Sequence, residues 1–185
     1  MNKKVLILII VLVVLIAGAA AGYNFLTVVQ PPEPEQEQEQ EQGSDNGFKA
    51  FKAVDFYVYD GEGKRVYLSD FEGKRVIVNF WATWCEPCQM EFPAFEAIYE
   101  QYGDEAVFLM INQTDGELDT VESVKAFVEK NELDFPVYFD SDLIATRTYG
   151  IYAVPLTFVV DEAGMIVDAH SGPISEEGLL DFLGK

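Results

Sequence analysis

The stretch Val76-Ile77-Val78-Asn79-Phe80-Trp81 is apolar at every position but one. A strand with one wet face alternates apolar and polar residues. A nearly continuous apolar run instead marks a central strand covered on both faces. Directly after it comes Ala82-Thr83-Trp84-Cys85-Glu86-Pro87-Cys88, and from Pro87 to Tyr102 the side chains of Phe92, Phe95, Ile98, Tyr99 and Tyr102 recur at helical spacing. Both cysteines of the chain therefore fall where a buried strand gives way, through a short turn, to the start of a helix.

The surrounding sequence extends this into an α/β pattern. Phe56–Tyr59 and Arg65–Leu68 flank Asp60-Gly61-Glu62-Gly63 and predict a hairpin. Val107–Ile111 is a second buried strand. Val121, Val124, Phe127 and Val128 line a helix, for which Glu117 and Asp119 supply an acidic first turn. Leu156–Val160 and Met165–His170 pair across the turn Asp161-Glu162-Ala163-Gly164, and a last helix runs from Ser175 to near Leu183. Strands alternating with helices imply a sheet with helices on both faces. Pro93 falls inside the first helix, where a kink is expected.

The position of the cysteines has chemical consequences. The first turn of a helix has unpaired N–H groups and a partial positive charge. A thiolate there is stabilised, which lowers its pKa below the free value of about 8.5. Cys85 is the expected nucleophile. Cys88, one turn on, is placed to attack a mixed disulfide and release the product. Pro87 suits a first helical turn because its missing N–H would be unpaired in any case. Other roles fit less well. A disulfide across one turn closes a tiny loop and constrains almost nothing. A zinc site needs about four ligands, and beside two cysteines the chain has one histidine, His170, which reads as a surface residue at a strand end. No metal and no cofactor are expected.

These residues resemble a known family. Trp81-Ala82-Thr83-Trp84-Cys85-Glu86-Pro87-Cys88, followed by Glu91-Phe92-Pro93, is similar to the thioredoxin superfamily, and most of all to its extracytoplasmic ResA/TlpA-type reductases. The likeness covers about Val54 to Leu183. It implies a thioredoxin-like fold with an N-terminal β-hairpin and a helical insertion. It also implies a redox-active Cys85–Cys88 disulfide and a role in keeping exported thiols reduced, such as those of apocytochrome c before haem attachment. Tyr149-Gly150-Ile151-Tyr152-Ala153-Val154-Pro155-Leu156-Thr157-Phe158 resembles the family's cis-proline loop, in which Val154 would offer its backbone to a substrate chain. The substrate-contacting residues implied are Trp84, Glu86, Pro87, Val154 and Pro155. Two positions depart from the pattern. Leu156 stands where Thr is frequent, and Asn79 stands where thioredoxins proper carry an Asp on the strand before the motif. Asn79 cannot titrate, so the proton of Cys88 needs another acceptor. Glu91, three residues after Cys88 on the same helix, is the candidate; half-burial would raise its pKa towards neutrality.

Before this domain lie two further segments. Val5–Gly22 holds no charged residue, and apolar side chains continue to Val29. Residues 5–29 are long enough to cross a hydrocarbon core of about 30 Å. Lys3 and Lys4 precede the run, which places residues 1–4 in the cytoplasm and the remainder outside. The competing reading is a signal peptide cleaved near Ala17, Ala19 and Ala21. Residues 30–47 are rich in Pro, Glu and Gln, cannot bury a face, and read as a disordered tether. Residues 48–185 form the catalytic domain.

The formal net charge is −20, which excludes a nucleic-acid binder that neutralises phosphates with clustered Lys and Arg. The function expected is a membrane-anchored thiol–disulfide oxidoreductase with its catalytic domain outside the cell membrane. Its partners would be exported thiol or disulfide proteins and a membrane electron donor of the CcdA/DsbD type, since glutathione and thioredoxin are cytosolic. The alternatives are a thiol oxidant or isomerase, because the motif does not set the potential, and a Sco-type copper metallochaperone. The latter family has three residues between its cysteines, where this chain has two. No peroxidase pattern Pro-x-x-x-Thr-x-x-Cys ends at Cys85.

Overall fold

The computed structural model describes residues 48–185. The segments expected over residues 1–4, 5–29 and 30–47 lie outside the described residues. The elements, in chain order, are β1 (Phe51–Lys52), β2 (Tyr57–Tyr59), β3 (Arg65–Tyr67), a 3₁₀ turn (Leu68–Phe71), β4 (Val76–Trp81), α1 (Glu86–Tyr102), β5 (Val107–Asn112), α2 (Val121–Lys130), β6 (Val137–Phe139), α3 (Ile144–Thr148), β7 (Leu156–Val160), β8 (Met165–Ser171) and α4 (Glu176–Leu183).

The strands make one mixed sheet in the order β1-β8-β7-β4-β5-β6-β2-β3. β4 is central, as its composition requires: all six of its residues are buried. It runs parallel to β5 and antiparallel to β7, with Asn79 between Met110 and Thr157. Alternate side chains separate onto two faces. Ile77 and Trp81 join Phe92, Phe95 and Ile98 of α1, Val124 of α2, and Leu179 and Phe182 of α4. Val76, Val78 and Phe80 face Leu68, Ala145 and Ile151 on the other side. Helices thus cover both faces, three on one and the short α3 on the other.

Two hairpins close by the same chemistry. In Asp60–Gly63 the Asp60 carboxylate accepts the N–H groups of Glu62 and Lys64, and Gly63 takes φ +81. In Asp161–Gly164 the Asp161 carboxylate accepts from Ala163 and Met165, and Gly164 takes φ +76. An Asp to hold the turn and a Gly free to enter the left-handed region are what such turns need.

One sequence expectation is corrected. Glu117 and Asp119 do not form the first turn of α2. Thr120 is the N-cap, and its hydroxyl accepts the Ser123 N–H while the Ser123 hydroxyl oxygen accepts the Thr120 N–H. This reciprocal cap satisfies the helix end locally. Asp119, one residue too early for the helix, turns inward and is fully buried. α1 continues through Pro93 without interruption; the missing N–H costs one bond in the helix ladder.

Phe95 is fully buried between α1 and the sheet, with its ring 6.4 Å from that of Phe135. Phe95→Ala should lower the unfolding free energy of the oxidised protein by about 3–5 kcal/mol, read as a lower denaturant midpoint at unchanged slope.

Candidate active site

The structure places Cys85 at the N-cap of α1 and joins its sulfur to that of Cys88, with the two Cα atoms 5.3 Å apart. Cys85 Sγ occupies the position where a serine oxygen caps other helices: it accepts the backbone N–H of Cys88 at 3.2 Å. Pro87 lies in this first turn and removes an N–H that would have no partner. Cys85 is 4% exposed and Cys88 0%, so the first cysteine lies just beneath the surface and the second is fully enclosed.

The opposite wall is the loop before β7. The Val154–Pro155 peptide is cis, as the resemblance implied, and Pro155 is buried. The Val154 carbonyl oxygen lies 3.5 Å from Cys85 Sγ. A disulfide sulfur has no proton, so in this oxidised form the approach is packing; the reduced thiol is placed to donate there. Two large aromatic side chains, one beside the motif and one on the loop, are exposed. Trp84 is 53% exposed and Tyr152 98%. Glu86 and Pro87 are exposed beside them, while Val154 and Leu156 are partly buried. Trp81, by contrast, is core, its ring edge-on to Phe92 at 5.2 Å. His170, near the end of β8, is exposed and its Nε2 donates to the Pro173 carbonyl at 3.1 Å.

Glu91 is 1% exposed, deeper than the half-burial that would suffice to raise its pKa. Its carboxylate faces the sheet beneath α1. One oxygen accepts the Asn79 side-chain amide at 2.8 Å and the other accepts the Ile174 backbone N–H at 3.1 Å. The Asn79 amide also donates to Thr157 Oγ1, while its Oδ1 has no partner. Loss of hydration pushes the Glu91 pKa up to about 7, and the donors from Ile174 and Asn79 offset only part of that. A group that exchanges a proton near neutrality thus sits one helical turn from the buried Cys88.

A second buried carboxylate was missed. Asp119 accepts the Thr83 N–H at 2.8 Å, the Asn112 side-chain amide at 2.8 Å and, in a very short contact, the Thr83 hydroxyl. Gln89 Nε2 donates to the Thr83 carbonyl at 2.7 Å. Thr83 belongs to the turn that delivers Cys85. The only sequence signal was an Asp just ahead of a Thr N-cap, where an acid serves the helix less well than the cap itself.

The profile of the AhpC/TSA family matches residues 50–169. The thiol-disulfide oxidoreductase ResA of Bacillus thuringiensis subsp. konkukian is 37% identical over 134 residues, spanning 72% of this chain and 76% of that protein. The thioredoxin-like protein YneN of Bacillus subtilis is 36% identical over 126 residues, 68% of this chain and 73% of its own. Among solved structures, StoA from Bacillus subtilis superposes with a TM-score of 0.62 at 28% identity, over 70% of this chain and 96% of that one. The pneumococcal exposed lipoprotein thioredoxin from Streptococcus pneumoniae gives 0.60 at 29% identity, over 71% and 98%. A thioredoxin-like sheet, a cysteine pair at the head of its first helix and these relatives agree: the chain belongs to the AhpC/TSA family and is a ResA-like thiol–disulfide oxidoreductase.

Proposed function

We propose that the protein reduces disulfides in exported proteins, apocytochrome c among them, from a position tethered to the outer face of the cell membrane. The observation that supports this best is the setting of Cys85 Sγ: it is capped by a helix N–H, flanked by the Val154 carbonyl, and rimmed by exposed Trp84 and Tyr152. The helix N–H stabilises the sulfur as an anion, and the Val154 backbone beside it offers strand-like pairing to an extended polypeptide.

In the reduced protein the Cys85 thiolate attacks one sulfur of a substrate disulfide. A mixed disulfide forms and the other substrate sulfur leaves as a thiolate. Cys88 then gives up its proton and attacks Cys85 Sγ. This releases the second substrate thiolate and leaves the Cys85–Cys88 disulfide, with two electrons passed to the substrate. Glu91, as carboxylate, takes the proton of Cys88 in this step and returns it when a membrane dithiol donor re-reduces the pair. Trp84, Glu86, Pro87, Val154 and Pro155 contact the substrate.

Cys88→Ala should accumulate mixed disulfides on Cys85 with exported cysteine-pair proteins. Recovery of no such adduct from cells, or a potential near −120 mV at the oxidising end of thioredoxin-like pairs, counts against the reductase. Carbonate-resistant retention in the membrane fraction is expected for the full chain, and release to the supernatant would show cleavage instead.

Glu91→Gln should slow release of the mixed disulfide at pH 7 by about 100-fold, the lower end of the range for loss of a general base. The same variant has a stability signature. Because the folded pKa of Glu91 lies above its ordinary value of 4.5, the folded state holds the proton more tightly, and stability falls as pH rises from about 4.5 to about 7. Thermal midpoints of the oxidised protein should show this decline, and Glu91→Gln should flatten it.

A further inference from the structure

We propose that Asp119 is a positioning residue for Cys85, holding the turn between β4 and α1 so that the sulfur stays over the helix end when the disulfide is open. The inference rests on the thiol–disulfide chemistry of Cys85 and not on which protein is reduced.

Residues 82–85 are the whole connection between the buried strand and the catalytic helix. Within it the Cys85 N–H donates to the Ala82 carbonyl at 3.2 Å. Every hydrogen-bonding group of Thr83 is engaged: N–H and hydroxyl by Asp119, carbonyl by Gln89. Asp119 comes from a different part of the chain, between β5 and α2, and is delivered there by its own supports. Asn112, at the end of β5, donates to it. Asp115 gathers the N–H groups of Glu117, Leu118 and Asp119 onto one oxygen, and the Gly116 N–H closes back on the Asp119 carbonyl at 2.9 Å. The loop is thus folded so that a carboxylate reaches across to the turn carrying Trp84 and Cys85.

A carboxylate removed from water is costly unless donors surround it. Here two of the three donors belong to one residue of the active-site turn. That expense does nothing for α2, which Thr120 caps alone. Its effect falls on the redox cycle. While the disulfide is closed, the bond itself fixes Cys85 Sγ. Once it is reduced, the sulfur can turn away from the Cys88 N–H, and only the rigidity of residues 82–85 keeps it there. Asp119 therefore acts on the reduced state: it keeps the thiolate within reach of the helix N–H that stabilises it.

The test separates position from charge. Asn at 119 can repeat all three bonds, its oxygen accepting from the Thr83 N–H and Asn112 and its amide donating to the Thr83 oxygen. Ala can repeat none. The readout is the ionisation of Cys85 in the reduced full-length protein, followed by its rate of alkylation with iodoacetamide against pH. Asp119→Ala should raise the midpoint by about one unit, and Asp119→Asn should restore it. An unchanged midpoint in Asp119→Ala overturns the proposal, even if the oxidised protein melts earlier, and so does an equal shift in both variants. Should Asp119→Ala not fold, Thr83→Val removes the hydroxyl bond alone and should shift the midpoint in the same direction by less; no shift overturns the proposal.

Discussion

One hydrogen bond organises the site, that from the Cys88 N–H to Cys85 Sγ. It exists because the first turn of α1 has N–H groups without helical partners, and because the residue at the cap is a cysteine. The same geometry that completes the helix holds the sulfur. Everything upstream serves to put that helix end in one place. β4 is buried on both faces and cannot slip without exposing a row of side chains. α1 is bound to it through Phe92, Phe95 and Ile98. The connection between the two is short and pinned at Thr83.

Strand β4 also explains why the second sulfur is cut off from water. Its alternate residues Ile77, Asn79 and Trp81 face α1, and Cys88 and Glu91 face back. In an otherwise apolar layer, Asn79 and Glu91 are a polar pair closed by Thr157 and the Ile174 backbone. Two neutral donors do not replace full hydration of a carboxylate, so protonation becomes easy near pH 7. An Asp at position 79 would have put a second acid against Glu91. The amide there lets a single group titrate.

Much of this was legible in the sequence, and what was not has physical reasons. β4, β5, β7 and α1 announce themselves by long apolar periodicity, and both hairpin turns by Asp and Gly. β1, β6 and α3 span two, three and five residues, too short for any period to show. They form because a neighbouring strand or a packed face offers partners. The reactive cysteine pair followed from its place between a buried strand and a helix start, and the cis Val154–Pro155 from the family likeness. The depth of Glu91 did not, since it depends on Ile174, which is 83 residues away in the chain. Asp119 was misassigned because an acid ahead of an apolar helix ordinarily serves the helix end. Here Thr120 does that work and frees the acid for the turn.

The buried carboxylates of Glu91 and Asp119 differ in what surrounds them, and that difference suits them to different tasks. Each Glu91 oxygen has one donor, from residues that do not belong to the cysteine turn, and beside it the Asn79 oxygen has no partner. Such a site tolerates a proton arriving or leaving. Asp119 has three donors, two of them from Thr83. Those two bonds hold the turn two residues from Cys85. A thiol–disulfide oxidoreductase can use both properties at once: a carboxylate able to take up a proton beside Cys88, and a turn held in place beside Cys85. In this fold the catalytic helix carries the first carboxylate, and the loop leading into α2 supplies the second.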